Sequence, residues 1–583
     1  MSLLQQLRRR VFHRYHQRPL VLDVLVCGFL PGALLGTQLA GLLLFLNAHL
    51  DSDLLPLALL YGPALGLVSL LLHLPFTLQR PDRARRALPW GLTLALLIPA
   101  VAEIGHASYY AFYLPPGINT RLIKAGMVLS LAGLVAFYTT LLHTIHRRRY
   151  GRRSRWGYAV LVLISVFSLE ERLETYRPPE IRPRTAAEGP ERPRLRLYTV
   201  AVEGATLDAI LPLAEQGRVP FLAAMLRDGA AGRLETLTPY SRAAVWTSLA
   251  TGKNPYRHGI LGDRVWPFPP LGPEARFELL PAGILFRTWG LPGVRPLPVD
   301  RRRQRALDLW QVLSRLGVRS ATLGWPVTDP PFGELDFSVS EAFFRPEPPP
   351  GSALPEGVAE RAALFALGVG DLGPVRRNPF GPDPSPRVLS ALAGDGWRQS
   401  LSLFLVEQYP DVDALFLVLP GLASVSEESF GGYAEVQFEG GDGEAERAAH
   451  DELAAYYGEI DRFLARLWER VPQPAMLAVV SPAGTARRGW GWGLSGDPEL
   501  RGTLGAGADG VLMFLGGDIE PGTRFRGARL TDLVPTVAYA FGLPIAKDLD
   551  GQVITAAFDP VRVARQPLSF VPTYESLALS EAR

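Results

Sequence analysis

Cysteine and histidine are what this chain has least of. Its 583 residues include one cysteine, Cys27, and nine histidines. A single cysteine excludes an intrachain disulfide and any cysteine-built zinc site. Only His258 and His450 follow residue 194, so the C-terminal part cannot bring three imidazoles to one metal centre. Charge of one sign is also scarce: 60 Lys and Arg stand against 57 Asp and Glu, a net +3. That balance excludes the strong basic footprint of a nucleic-acid binder, and no nucleic acid is expected as a partner. Apolar residues are abundant. They make up 48% of the chain, and mean hydropathy is +0.11 despite 52 prolines. This composition points to membrane segments, and the length to more than one domain.

The apolar residues are concentrated at the N-terminal end. Met1–Pro19 is basic, with Arg8, Arg9, Arg10, Arg14 and Arg18. No small-residue cleavage site follows it, so it reads as an anchor flank rather than a removed signal peptide. Apolar runs follow at Leu20–Leu46, Leu54–Leu78, Ala87–Leu114 and Leu122–Ile145, each long enough to cross a bilayer as a helix. A fifth, Trp156–Leu169, covers only about 21 Å as a helix. About five transmembrane helices are therefore expected over residues 1–169. Arginines crowd Gln79–Arg86 and His146–Arg155 and are nearly absent from Asn47–Asp53 and Pro115–Arg121. The positive-inside rule places the N-terminus in the cytoplasm. Five crossings put the large C-terminal domain outside; without the fifth it stays inside. Glu103 and His106 share a helix face in the third run, beside Tyr109, Tyr110 and Tyr113. They read as part of an interfacial belt, with an intramembrane site as the alternative.

Residues 170–194 form a linker whose Tyr176–Arg194 stretch is rich in proline and charge. Beyond it, short β-branched runs at Leu195–Val202, Ser320–Gly324, Ala414–Leu419, Met476–Val480 and Val511–Leu515 read as buried strands. Helical runs separate them: Thr206–Glu215, Val219–Arg227, Leu307–Leu316, His450–Arg470 and Thr531–Phe541. Alternation of this kind predicts one α/β domain over 195–571 around a mainly parallel sheet, with 572–583 as a tail. Pro/Gly-rich Arg264–Arg305 and Phe344–Gly396 are expected to cover that domain as excursions.

Within this frame, Thr238–Ile260 (TPYSRAAVWTSLATGKNPYRHGI) resembles the nucleophile region of the alkaline phosphatase superfamily, in its type I phosphodiesterase/nucleotide pyrophosphatase branch. Strand-Glu203-Gly204, Gly324–Pro331, Leu419–Val425, Val479–Gly484, Asp509–Leu515 and Leu530–Val553 resemble further family landmarks, in the family's order. The resemblance implies an alkaline-phosphatase-like domain with two zinc ions, about 4 Å apart, at the carboxyl ends of the strands. It also implies a Ser or Thr nucleophile at a helix start. Carried over residue by residue, the first metal Asp falls on Glu203 and the nucleophile on Arg242, with Ser241 one place early. The other ligand positions fall on Ala423, Glu427, Pro482, Ala483 and Ala506. Two of these six ligand positions keep a carboxylate and none keeps a histidine.

The expectation is a membrane-anchored protein that has lost two-metal catalysis and binds or scaffolds at the cell envelope, with no cofactor. Its partners would be the bilayer and an envelope protein or phosphate-bearing ligand, the latter held by Arg242 at a helix start. The alternative is an active phosphoester hydrolase built on Ser241, with two zinc ions. A calcium or magnesium ion on Glu203 and Glu427 is a further option that oxygen ligands allow.

Overall fold

The computed structural model describes residues 24–48, 50, 54–148, 150–172, 195–283, 286, 290–358, 360–362, 380, 384–488, 502–505 and 508–577. The chain divides into two compact units. The first holds residues 1–179 and Arg264–Leu297; the second holds Glu180–Asp263 and Pro298–Arg583. The stretch Arg264–Leu297, expected to cover the α/β domain, thus groups with the N-terminal helices.

The first unit is built on α1 (Leu30–Leu46, entered through a π-helical turn at Leu25–Phe29), α2 (Leu54–Gln79), α3 (Pro81–Tyr109), α4 (Pro116–Ile145) and α5 (Arg152–Arg172). Among the described residues four helices are long and apolar enough to cross a membrane: Leu25–Leu46, Leu54–Gln79, Asp82–Tyr109 and Pro116–Ile145. This corrects the expected count of about five. The fifth apolar run does form a helix, but Arg155 and Glu170 bound it, so it falls short by composition. Small residues set the helix spacing. A Cβ at Gly36 would lie 2.1 Å from the Tyr61 carbonyl oxygen, and one at Gly32 2.4 Å from that of Leu65. Only glycine allows α1 and α2 to approach this closely, the usual basis of packing between apolar helices in lipid. The other side of α2 turns Leu55, Leu59, Leu67, Leu71 and Leu72 outward.

Polar side chains at the helix ends of this unit hold the 264–297 stretch. Asn47 Oδ1 accepts from Glu278 N (2.7 Å) and Leu279 N (3.0 Å), and its Nδ2 donates to Leu279 O (2.8 Å). The Tyr110 hydroxyl donates to Leu280 O at 2.8 Å. Ala282 N donates to His106 Nε2 at 2.7 Å, which leaves Nδ1 to donate to Ala102 O at 2.6 Å. His106 therefore serves a backbone segment, and Glu103 lies buried in the bundle.

The second unit carries a nine-stranded sheet. Its strands are β1 (Arg196–Val202), β2 (Ala230–Glu235), β3 (Ser320–Trp325), β4 (Phe337–Ser340), β5 (Ala353–Leu354), β6 (Ala414–Leu419), β7 (Ala475–Ser481), β8 (Gly510–Gly516) and β9 (Thr523–Arg529). Their order is β9-β2-β8-β7-β1-β6-β3-β4-β5. The run from β7 through β1, β6 and β3 to β4 is parallel; β8 is antiparallel to both neighbours, and β5 to β4. The predicted mainly parallel α/β class is what is seen. Central strands covered on both faces read as continuous apolar runs, and β1, β6 and β7 are buried almost throughout. Helices α6 (Leu207–Glu215), α7 (Pro220–Asp228), α8 (Arg242–Thr251), α9 (Leu309–Arg315), α10 (Pro386–Gln408), α11 (Gly421–Glu439), α12 (Glu444–Arg470) and α13 (Leu533–Ala540) accompany the sheet. Since β1, β6 and β7 are parallel, Glu203, Pro420 and Pro482 leave the sheet at one edge, where ligands bind in folds of this class.

Candidate functional site

The strand-end cleft is organised by Glu203. It follows β1 directly, is 3% exposed, and donates its backbone N–H to Leu419 O. Both carboxylate oxygens are occupied. Oε1 accepts from Arg242 Nε (2.7 Å) and Trp246 Nε1 (3.1 Å), and Oε2 accepts from Arg242 Nη2 (3.0 Å). Arg242 Nη2 also lies 2.8 Å from Glu341 Oε1. Burial alone would lower the Arg242 pKa. Glu203 and then Glu341 reverse this, and the guanidinium is held above its ordinary value. The cation at the start of α8 is therefore clamped between two carboxylates of the chain itself.

The helix that presents Arg242 is α8. Ser241 is its N-cap residue in extended conformation, and Arg242 is its first helical residue. Ser241 makes no capping hydrogen bond, and its buried Oγ has no partner among the described residues. The helix start is served instead by Asp263, whose Oδ1 accepts from Ala243 N at 2.6 Å. An internal carboxylate thus stands where a helix N-terminus favours an anion. Beneath the cleft, Trp246 and Trp310 both meet the edge of Trp325 at 5.1 Å. Such aromatic pairs contribute about 0.5–1.5 kcal/mol each beyond their burial.

The remaining expected positions surround this centre. Gly204 adopts φ +90°, and a Cβ there would be 2.9 Å from Ala423 Cα. Ala423 thus abuts the end of β1 from the first turn of α11. Thr485 Oγ1 donates to Gly204 O at 3.2 Å, which brings the turn after β7, with buried Pro482 and Ala483, alongside. Glu427, one helical turn beyond Ala423, lies 3.6 Å from Arg387. Burial raises its pKa, Arg387 opposes the shift, and Glu203 adds to it. Ala506 lies outside the described residues. His258 and His450 are elsewhere: His258 Nε2 meets Ser248 Oγ at 2.9 Å, and His450 stacks on Tyr433 at 5.1 Å.

The side chains present do not fit a zinc pair. Ala423, Pro482 and Ala483 have no donor atom, Glu203 has its oxygens filled by Arg242 and Trp246, and neither described histidine faces Glu203. Among the described residues, no group of three or more His, Cys, Asp or Glu could hold a metal ion. Three participants escaped the sequence reading. Glu341 and Asp263 belong to no motif. Tyr240, whose buried hydroxyl has no partner among the described residues, has its pKa raised by burial and next by the charge of Glu203. The position of Tyr240 two residues before the nucleophile position was the one available signal.

Residues 198–487 match the family of type I phosphodiesterases and nucleotide pyrophosphatases. No curated protein sequence matches the chain. Among solved structures, the chain is similar to phosphonoacetate hydrolase from Sinorhizobium meliloti 1021, at 17% identity and a TM-score of 0.32. That match covers 53% of this chain and 61% of the hydrolase, so the chain spans less than two thirds of that protein. It is similar to murine ectonucleotide pyrophosphatase / phosphodiesterase 5 at 12% identity and a TM-score of 0.36, covering 62% of this chain and 100% of the other. A mutant of the alkaline phosphatase PafA is also similar, at 12% identity and a TM-score of 0.40, over 63% of this chain and 99% of the other.

Proposed function

From a chain whose residues 198–487 match the type I phosphodiesterase / nucleotide pyrophosphatase family, we infer a membrane-anchored domain that binds at the cell envelope and does not run two-metal phosphoester hydrolysis. The observation that carries this reading is the guanidinium of Arg242 on the carboxylate of Glu203. A cation that is part of the chain neutralises the acid that metal chemistry would need, and of the other positions carried over from the resemblance Glu427 keeps a carboxylate while the rest are alanines and a proline. What remains is a cleft suited to holding a partner or ligand. The competing reading, hydrolysis through Ser241, draws on its unpartnered Oγ at a helix start. Metal analysis of the purified full chain separates the two. The expected result is no stoichiometric zinc and no metal-dependent turnover of an aryl phosphodiester. Two zinc ions per chain, or turnover abolished by a chelator, sink the inference.

The domain lies on the outer side of the membrane in this reading. Asn47 follows α1, and His106 and Tyr110 lie at the end of α3. With the N-terminus inside, both helix ends are opposite the basic stretches at Gln79–Arg86 and His146–Arg155. Residues 278–282, which come after the linker in sequence, hydrogen-bond to these three side chains. This placement requires α5 to cross as well, although by composition it falls short of the four spanning helices, and its course is what supports that. Ser154 meets His143 at 3.0 Å, Tyr158 donates to Ala136 O at 2.9 Å, and Leu169 packs on Gly41 near the far end of α1. Its 21 residues span about 31 Å, with charges at both ends. Because Cys27 is buried and is the one native cysteine, Asp451→Cys can report the side directly. A membrane-impermeant maleimide should label that variant in intact cells. Labelling only after the membrane is opened would place the domain inside.

A further inference from the structure

Away from the strand-end cleft, the second unit has a cavity of about 320 Å³ lined by Arg301, Arg302, Gln304, Arg305, Gln311 and Pro330, with Ala306 and Leu307. Its polar floor is already satisfied. Gln304 Nε2 donates to Ala306 O and to Asp308 Oδ1, and Gln311 Oε1 accepts from Asp308 N. Asp308 is buried and caps the start of α9 while accepting from Gln304, and of the three arginines its charge acts on Arg301.

The arginines differ from Arg242 in having no carboxylate clamp. The Arg301 guanidinium lies over the Phe332 ring at 3.2 Å and donates to Pro330 O at 3.3 Å. Its partners are thus a ring face and a carbonyl. Burial lowers its pKa, and Asp308 and Glu334 only partly offset the shift. Arg302 and Arg305 are exposed and form no ion pair among the described residues. Their backbones are fixed nonetheless: Arg302 N donates to Asp300 Oδ1 at 2.9 Å and Arg305 N to His258 O at 2.9 Å. Three guanidinium groups, around a space the size of a small-ligand site, present more positive charge than Asp308 and Glu334 neutralise, since Glu334 is also paired with Arg315. Arginine forks match phosphate oxygens two at a time.

We propose that this cavity is a binding site for a phosphate-bearing anion, with Arg301 as the stacked, preset wall and Arg302 and Arg305 as the closing arms. The site is separate from the cleft at Glu203, and it stands or falls independently of the reading given for that cleft. The bound group is a phosphate ester, supplied either by a soluble compound or by a lipid headgroup.

The test uses the full chain in phosphatidylcholine nanodiscs, titrated calorimetrically with inorganic phosphate. Wild type is expected to bind, and Arg302→Ala/Arg305→Ala to bind about tenfold more weakly or worse, since hydrogen bonds to a charged group are lost. Arg227→Ala, an exposed arginine elsewhere, should bind as wild type does. Arg301→Lys keeps the charge without the planar fork and should also weaken binding. Repeating the titration in phosphatidylglycerol nanodiscs separates the sources. A weaker apparent affinity there means that the headgroup competes for the cavity, and an unchanged one assigns the site to a soluble ester. No phosphate binding by wild type, or equal binding by the double variant, overturns the proposal.

Discussion

Helix α8 holds a cation at each end, and the two ends are built on opposite principles. Beyond its C-terminus, Lys253 Nζ lies 2.7 Å from both Asp548 Oδ2 and Glu575 Oε1, after Gly252 closes the helix in the left-handed region at φ +67°. A cation there agrees with the helix dipole. At the N-terminus Arg242 opposes that dipole, and it is held by Glu203 and Glu341 while Asp263 takes the amide of Ala243. The C-terminal arrangement would suit any member of such a fold. The N-terminal one needs a set of partners assembled for this arginine. The difference teaches that the frame around the cleft is generic, whereas the chemistry at its centre is particular to this chain.

The largest effect expected from breaking the N-terminal arrangement is on stability. Arg242→Ala leaves Glu203 buried beside only an indole donor. Removing one partner of a buried pair costs about 3–5 kcal/mol, read from chemical unfolding of the full chain in detergent. Adding Glu203→Gln to that variant should restore part of the loss, because no uncompensated charge is then buried. A loss below about 1 kcal/mol for Arg242→Ala would put this clamp among ordinary surface pairs and erase the contrast between the two ends.

The same contrast decides how much the sequence could reveal. The strands of the sheet centre were legible because burial on both faces leaves an uninterrupted apolar run: Ala414–Leu419 has the predicted bounds, and β1 and β3 differ by a residue at one end. Strands β2 and β9 were missed. AAGRLE and TRFRGAR carry glycine and arginine, and they become strands only by pairing with each other and, for β2, with β8. Helix α10 begins inside the stretch read as an excursion, where Pro386 suits a first helical turn and Ser385 Oγ caps Val388 N at 3.2 Å. At the cleft, the residues carried over from the resemblance were reached by spacing from Trp246 and from the strand ends. The clamp could not. Glu341 lies 99 residues after Arg242 in a short 3-10 turn, and no local pattern marks a residue whose role is set by a contact across the fold.

The C-terminal end supplies a second, smaller test, through pH. His258 is fully buried: Ile260 N donates to its Nδ1 at 3.2 Å, and Nε2 faces Ser248 Oγ. Burial first, and the charge of Lys253 second, lower its pKa to about 3. An unfolded histidine titrates near 6.5. Between these values the unfolded chain binds a proton that the folded chain refuses, so this contribution is intact above about pH 6.5 and falls as pH drops. From pH 7 to 5 the loss is about 2 kcal/mol. Asp395, raised by burial to about 6, works the other way: its folded form holds a proton more tightly, so its contribution falls as pH rises through that range. Comparing wild type with His258→Gln cancels the Asp395 term. The expected outcome is that wild type loses more stability than the variant between pH 7 and 5, and identical slopes would mean that the histidine binds protons equally in the folded and unfolded chain.

The finest test weighs the two donors on Glu203 against each other. Trp246→Phe removes the Nε1 donor at 3.1 Å while leaving an aromatic ring to meet Trp325. A hydrogen bond to an ionised acceptor contributes about 1.5–3 kcal/mol. The lower end applies here, because the bidentate guanidinium continues to neutralise the carboxylate. If Arg242 is the main partner of Glu203, the two losses should be unequal and coupled. Once Arg242→Ala has been made, the indole is the remaining side-chain donor identified on the acid, so removing it then should cost more than it does in wild type. The double-mutant cycle reads this as a non-additive term of about 0.5 kcal/mol or more. Strict additivity, or a Trp246→Phe loss as large as that of Arg242→Ala, would mean that the guanidinium is not the partner that holds Glu203. The cation at the start of α8 would then be incidental to the acid that the cleft is built around.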